Sequence, residues 1–154
     1  MGRDAGMIAV LSGIGSGAEA IAIPETRTRI EQIVQVLQRG WHRKKTSMIV
    51  IVAEGDDAGG AYKIADAVRQ RFDSFDTRVS VLGHMQRGGS PTCFDRVLSS
   101  RLGVAAVDAL VQGRRDIMVG VIDNKIAETP FETVVARRKE FPYDLMRVAE
   151  ILSL

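Results

Sequence analysis

Short apolar runs alternate with stretches of helical periodicity along the whole of this chain, and that alternation constrains its fold more than any other feature. Neighbouring parallel strands need a crossover that is usually a helix, so the order predicts an α/β fold: three layers, with mainly parallel sheet flanked by helices. Glu19 to Ile23 reads as a strand stopped by Pro24, and Ile30, Ile33, Val34 and Leu37 then share one face of a helix that ends near Gly40. Ser47 to Ala53 carries an uninterrupted Ile/Val stretch, the pattern of a strand covered on both faces, and Glu54-Gly55 closes it. Ile64, Ala65, Val68 and Phe72 stripe a helix from Ala61 to Phe72, and Arg78 to Leu82 is expected to return as a strand ending at Gly83. Pro91 suits the first turn of the next helix, with Ser90 as its cap. Phe94, Val97, Leu98, Leu102, Ala105, Ala106 and Leu110 are its expected buried stripe. Beyond Gly113, Ile117 to Ile122 predicts a buried strand, Asp123-Asn124 a turn, Lys125 to Ala127 a short run, and Pro130 to Lys139 and Tyr143 to Leu152 two closing helices.

Charge and cysteine content exclude several function classes. The 154 residues hold 21 Lys+Arg against 19 Asp+Glu, a net charge of +2, so no global positive field exists to attract nucleic acid. The lone Cys93 cannot pair within the chain and has no CxxC neighbour, which argues against a secreted disulfide scaffold and a zinc module and favours a reducing cytoplasm. The longest aliphatic run, Met48 to Ala53, is far shorter than the roughly 20 residues of a membrane helix, and no basic, apolar leader opens the chain. Neither a membrane nor an export role is expected. The length allows one or two domains.

Four stretches carry chemistry. Gly13-Ile-Gly15-Ser-Gly17-Ala18 has the letters of a dinucleotide loop, but Pro24 follows too soon for the helix that such a loop requires, while Asp4 to Leu11 upstream reads as helical. A helix-to-strand turn with free amides is the better reading. Arg39-Gly-Trp41-His42-Arg43-Lys44-Lys45 is a basic run with an aromatic at a helix-to-strand turn, able to bind phosphate or nucleic acid or simply to remain solvated. Glu54 ends an apolar strand, where ligands of open α/β sheets collect and where a carboxylate can accept from hydroxyls; Asp56 and Asp57 read as turn and cap residues rather than metal ligands. Arg78 to Pro91 joins a strand end to His84, Arg87, two glycines and a helix start, which makes an anion site: Arg offers a planar fork of donors, imidazole adds another, and the glycines allow a tight turn. Arg3, between Gly2 and Gly6, opens the first helix, from which it can face the same edge of the sheet.

Met1-Gly2-Arg3 before an Ala/Gly-rich helix, Gly17-Ala18-Glu19, Ile23-Pro24-Glu25, Glu54 and Leu82-Gly83-His84-Met85-Gln86-Arg87-Gly88-Gly89-Ser90-Pro91, in that order and spacing, resemble the bacterial-type ATP-dependent 6-phosphofructokinases. The resemblance runs over essentially the whole chain but covers only the C-terminal half of such an enzyme. It implies transfer of a phosphoryl group from ATP, with Mg2+, to the 1-hydroxyl of fructose 6-phosphate, in a homo-oligomer, expected to be a tetramer. By position, Met1, Gly2 and Arg3 would contact substrate, Arg3 also facing the transferring phosphoryl group as the catalytic cation. Glu54 would bind sugar hydroxyls. His84, Met85, Gln86 and Arg87 would hold the sugar phosphate from the same subunit, and Arg78 would reach a neighbouring subunit's site. Gly17, Ala18, Glu19, Arg43, Lys45, Thr46 and Ser47 fall on the family's effector pocket for ADP or phosphoenolpyruvate, although Thr46 and Ser47 replace the Lys and His often found there.

The resemblance further implies a sugar-phosphate lobe over residues 1–85, part of a nucleotide lobe over 86–137 and a returning helix over 138–154. The family's Gly-rich nucleotide loop and its Asp-rich loop, which carries the catalytic base and a magnesium ligand, do not occur in this sequence, so the chain alone is expected to be inactive. Apolar faces of the helix after Pro91 and of the strand from Ile117 are then expected to be exposed. Pyrophosphate as donor, or a non-catalytic sugar-phosphate-binding regulatory domain, are the alternative readings.

Overall fold

The computed structural model describes residues 2–136 and 140–153. The chain divides into two compact units, Met1–Arg87 with Phe141–Leu154, and Gly88–Glu140.

The first unit is a layered α/β body. Strands β1 (Ala20–Ala22) and β2 (Val50–Val52) pair in parallel, Ala20 opposite Val50, Ile21 opposite Ile51 and Ala22 opposite Val52. Side chains alternate across a strand, so this register sends Ala20, Ala22, Val50 and Val52 to one face and Ile21, Ile23, Ile51 and Ala53 to the other. The first face meets helices α2 (Ile30–His42) and α3 (Ala61–Arg69) through Ile33, Val34, Leu37, Ile64 and Val68. The second meets α1 (Met7–Ser16) through Ala9 and Val10, and Leu145 and Met146 of α6 (Tyr143–Leu152) pack onto the same cluster. Both faces are covered, which explains why these strands are apolar at every position. Ile23 and Val10 are completely buried; truncating such a side chain costs about 2–5 kcal/mol.

The regular elements are shorter than the apolar runs suggested. Helix α1 begins at Met7, so Arg3 lies in the preceding turn and not in a helix. Gly13 and Gly15 lie inside α1; only Gly17 forms the turn, in the left-handed conformation (φ 67°) that closes the helix and that a glycine adopts without steric cost. Helix α3 ends at Arg69, and Phe72 joins its core from the following loop. The segment from Arg78 to Leu82, expected to be a strand, has no ladder partner among the described residues, and Val81 and Leu82 are 67% and 58% exposed. Its β-like pattern is intrinsic, but a strand exists only with a neighbour to bond to.

The second unit packs helix α4 (Cys93–Val111) on a hairpin of β3 (Ile117–Ile122) and β4 (Lys125–Pro130), followed by α5 (Phe131–Ala136). Asp123 and Asn124 both have positive φ, the geometry of a two-residue hairpin turn, so the strands are antiparallel and Lys125 begins a full strand, not a short run. The closing helix expected to reach Lys139 begins at Phe131; its final three positions, 137–139, lie outside the described residues. The cap of α4 is Thr92 and not Ser90: Thr92 Oγ1 accepts from the Asp95 N–H while the Asp95 carboxylate accepts from the Thr92 N–H, a reciprocal box. The Thr92 hydroxyl first, and the Thr92 N–H second, hold the Asp95 carboxyl below the usual aspartate range.

Helix α4 is apolar on more sides than the hairpin can cover. Of its expected stripe, Leu98, Leu102, Ala105 and Ala106 are half-buried, whereas Phe94, Val97 and Leu110 are exposed; only Ala109 of the helix is buried. Val97, Val104 and Val111, spaced by seven, form an exposed seam with Val107 beside it. A helix of this kind belongs inside a larger core. The 154-residue chain by itself is therefore expected to self-associate at micromolar concentration, and replacing Val104 and Val107 together by Glu should shift its sedimentation towards monomer. A monomeric unsubstituted chain at these concentrations would contradict the expectation.

Candidate functional site

The carboxyl ends of β1 and β2 define one rim of the first unit's sheet, and the two strands are still joined there by the Ala53 N–H donating to the Ala22 carbonyl at 2.8 Å. Chain leaving β1 turns through Pro24-Glu25, and chain leaving β2 runs into Glu54-Gly55. The Gly2–Ala5 turn, closed by the Ala5 N–H on the Gly2 carbonyl at 3.0 Å, is seated on this rim. A β-carbon on Gly55 would collide with the Arg3 carbonyl oxygen and come within 3.1 Å of the Asp4 α-carbon, so backbone lies directly on backbone. Two sequence-predicted groups, Gly2-Arg3 and Glu54, are thereby brought together from positions about fifty residues apart. Arg3 is exposed with φ 47°, a left-handed conformation that is uncommon for a residue with a side chain, and Glu54 is exposed at the strand end. Among the described residues neither side chain is engaged in a hydrogen bond or ion pair. A cation and a carboxylate, both accessible at the carboxyl rim of a parallel sheet, can bind an anionic group and hydroxyls respectively. Met1 lies outside the described residues.

Sequence reasoning missed what stiffens this rim. Asp56, buried, accepts from the Thr28 hydroxyl and from the Ala58 N–H at 3.0 Å, and Asp57 accepts from the Thr28 N–H at 3.0 Å. The expected capping role of Asp57 towards α3 is not what forms: Gly60 occupies that position, and Asp57 instead ties the β2–α3 loop to the start of α2. Glu25 places both carboxylate oxygens, at 2.8 and 3.1 Å, on the Gly6 N–H. Local sequence could not reveal the pairings with Thr28 and Gly6, whose partners are 19 to 29 residues apart, whereas the Ala58–Asp56 bond is the short-range turn expected of Asp56.

The second group of candidates lies at the opposite, amino end of the same strands. Glu19, immediately before β1, is buried; its carboxylate accepts from the Ile49 N–H at 2.6 Å and pairs with the Lys45 ammonium at 3.2 Å, while the Glu19 N–H donates to the Ile49 carbonyl at 2.9 Å. Gly17 and Ala18 lead into it, and Arg43, Thr46 and Ser47 flank Lys45 and are exposed. Lys45 is therefore paired with Glu19, whereas Arg39, Arg43 and Lys44 are exposed cations of the basic run. Trp41 is not in a nucleic-acid-like array; it meets Phe75 edge to face at 4.9 Å.

The third group sits on a short 3-10 helix, Gly83–Arg87. His84 and Arg87 are three residues apart, one full turn of such a helix, so their side chains leave from the same side. Met85, 77% exposed, and Gln86 lie between them. Arg78, nine residues before Arg87, is extended into solvent, its Nε and Nη2 both 3.0 Å from Asp76 Oδ2. Exposed donors with this spacing suit a phosphate group. Among the described residues no cluster of three or more His, Cys, Asp or Glu side chains is arranged to hold a metal ion. No described helix is long and apolar enough to cross a membrane.

Comparison with known proteins adds the following. The family model described as phosphofructokinase matches residues 1–110. The chain is 44% identical over its whole length to ATP-dependent 6-phosphofructokinase 2 of Bacteroides thetaiotaomicron and 46% identical to ATP-dependent 6-phosphofructokinase 1 of Thermus thermophilus, covering 47% and 48% of those proteins. It thus spans about half the length of the curated relatives it matches. Among solved structures it is similar to the phosphofructokinase of Pichia pastoris in the T-state, with a TM-score of 0.79 and 30% identity over 99% of this chain and 18% of that one. The phosphofructokinase of Saccharomyces cerevisiae gives the same TM-score at 31% identity, covering 20% of that chain.

Proposed function

The chain belongs to the phosphofructokinase family, and from that premise we propose that it forms the sugar-phosphate-binding portion of an ATP-dependent enzyme that phosphorylates fructose 6-phosphate at its 1-hydroxyl. The observation that carries this reading is the Gly2–Ala5 turn seated on Glu54-Gly55, which gives one rim both a cation and a carboxylate. Glu54 accepts from sugar hydroxyls. His84 and Arg87, with Met85 and Gln86 between them, bind the 6-phosphate. Arg3 faces the phosphoryl group in flight, where a fixed positive charge is most valuable. Met1 and Gly2 contribute contacts beside it.

In this reading the first unit is the sugar-phosphate lobe, the second is part of the nucleotide lobe, and the remainder of the enzyme supplies the catalytic base, most of the ATP site and the magnesium ligands. No step at the metal is assigned to this chain. The amino-end group of Gly17, Ala18, Glu19, Arg43, Lys45, Thr46 and Ser47 takes an anionic effector, ADP or phosphoenolpyruvate, with Arg43 as an exposed cation to meet it. Arg78 completes the site of a neighbouring copy in a homotetramer. The setting is glycolysis in the cytoplasm.

Steady-state kinetics of the full-length enzyme test the assignment. Glu54→Ala removes an acceptor of sugar hydroxyls, worth roughly 0.5–1.5 kcal/mol per neutral bond and up to about 3 kcal/mol from a charged partner. The KM for fructose 6-phosphate is expected to rise at least fivefold while the KM for ATP stays within twofold. Equal rises for both substrates would place Glu54 outside the sugar site and reject its role.

A further inference from the structure

We propose that Glu25 is a positioning residue for Arg3, which it holds at the sheet rim through the Gly6 backbone without itself touching substrate; the inference rests on the role given to Arg3 above. The turn that carries Arg3 is fixed at two points, one on each strand end. At β2 the Arg3 carbonyl and the Asp4 α-carbon lie against Gly55, where no side chain fits. At β1 both oxygens of Glu25 take the Gly6 N–H, and a β-carbon on Gly6 would come within 2.5 Å of Ile23 Cβ and 2.6 Å of Glu25 Oε2. Ile23 is completely buried, so this second anchor is part of the core.

Arg3, at the first of these anchors, has φ 47°. A residue with a side chain keeps such a backbone only where its surroundings over-determine it, because the conformation is sparsely populated. Gly55 supplies a wall but no attraction. Glu25 supplies the attraction: a carboxylate on a backbone N–H is a charge-assisted bond, here next to the first turn of α1, whose amides also favour negative charge. Without Glu25 the Gly6 amide loses that partner, and the turn is free to relax towards ordinary backbone angles and carry the guanidinium with it. A group that must meet a transferring phosphoryl is sensitive to such motion, since a displacement near 1 Å can cost about a hundredfold in rate.

Two measurements decide the matter. On the 154-residue chain, Glu25→Ala is expected to speed amide exchange at Gly6 at least tenfold and to shift the backbone resonances of Gly2 through Ala5, whereas Glu25→Gln, whose amide oxygen accepts the same bond, restores both. If the Gly2–Ala5 resonances of Glu25→Ala match those of the unsubstituted chain, the proposal is overturned. Should Glu25→Ala not fold, Glu25→Asp, one methylene shorter, carries the same comparison. In the full-length enzyme Glu25→Ala should lower kcat about tenfold to a hundredfold, leave the KM for ATP unchanged and be rescued by Glu25→Gln. Added to Arg3→Ala, it should bring no further loss, as expected of a residue that acts through another. A full, additive loss in that background overturns the proposal. If the unsubstituted enzyme does not phosphorylate fructose 6-phosphate, the role of Arg3 fails, and the exchange data still decide whether Glu25 holds the turn.

Discussion

Arg3→Ala is expected to lower kcat of the full-length enzyme by about 10²–10³-fold, the loss typical of removing one preorganised group that stabilises developing charge. In phosphoryl transfer that charge is spread over three equatorial oxygens, and the protein contributes chiefly by placing fixed positive charge against them. Arg3 meets the two structural requirements of such a group. It is accessible at the sheet rim and held by no ion pair among the described residues, and its backbone is fixed by Gly55 on one side and by the Gly6 amide on the other. Arg3→Lys should recover only part of the rate, because an ammonium keeps the charge but not the planar fork of donors. The KM for ATP should change little. Rapid-quench measurement of a single turnover separates the chemical step from product release, and a chemical rate within threefold of the unsubstituted enzyme would refute the catalytic role of Arg3.

The layered body of the first unit was legible because each of its elements carries its own periodicity. Ile33, Val34 and Leu37 share a helix face that packs where the pattern says it should, and the uninterrupted run at Val50–Val52 reflects a strand with helices on both sides. Arg78–Leu82 shows the converse. Its pattern is that of a strand, yet strand formation is a property of a pair, and among the described residues it has no neighbouring strand. The stripe of α4 fails in a related way: the periodicity marks what can be buried, and the exposure of Phe94, Val97 and Leu110 shows that this chain alone does not supply enough surface to bury it. At the candidate site, Arg3, Glu54, His84 and Arg87 could be singled out because their types are unusual beside glycines and strand ends. The bonds of Glu25 to Gly6 and of Asp56 to Thr28 could not be, since they depend on an amide and a hydroxyl brought near only by the folded chain. The left-handed backbone of Arg3 leaves no mark in local sequence at all, because nothing about an arginine announces it.

Arg87→Ala should raise the half-saturation for fructose 6-phosphate about tenfold to a hundredfold, far more than that for ATP. A hydrogen bond to a charged group is worth about 1.5–3 kcal/mol, and each 1.4 kcal/mol is a factor of ten in affinity. The 3-10 turn from Gly83 to Arg87 gives this prediction its specific form, since it directs His84 and Arg87 to one side with a fixed separation of one turn. Arg87 brings a permanent charge and a two-pronged donor, whereas His84 contributes a single imidazole donor. His84→Asn, which keeps a hydrogen-bond donor, should therefore weaken binding less than Arg87→Ala. On the proposed reading, in which both groups serve one phosphate, the two substitutions together should cost less than the sum of their separate effects. A dephosphorylated sugar supplies the decisive comparison: fructose should bind equally weakly to the unsubstituted enzyme and to Arg87→Ala. If the substitution weakens fructose as strongly as its phosphate ester, Arg87 acts on the shape of the pocket and not on the phosphate.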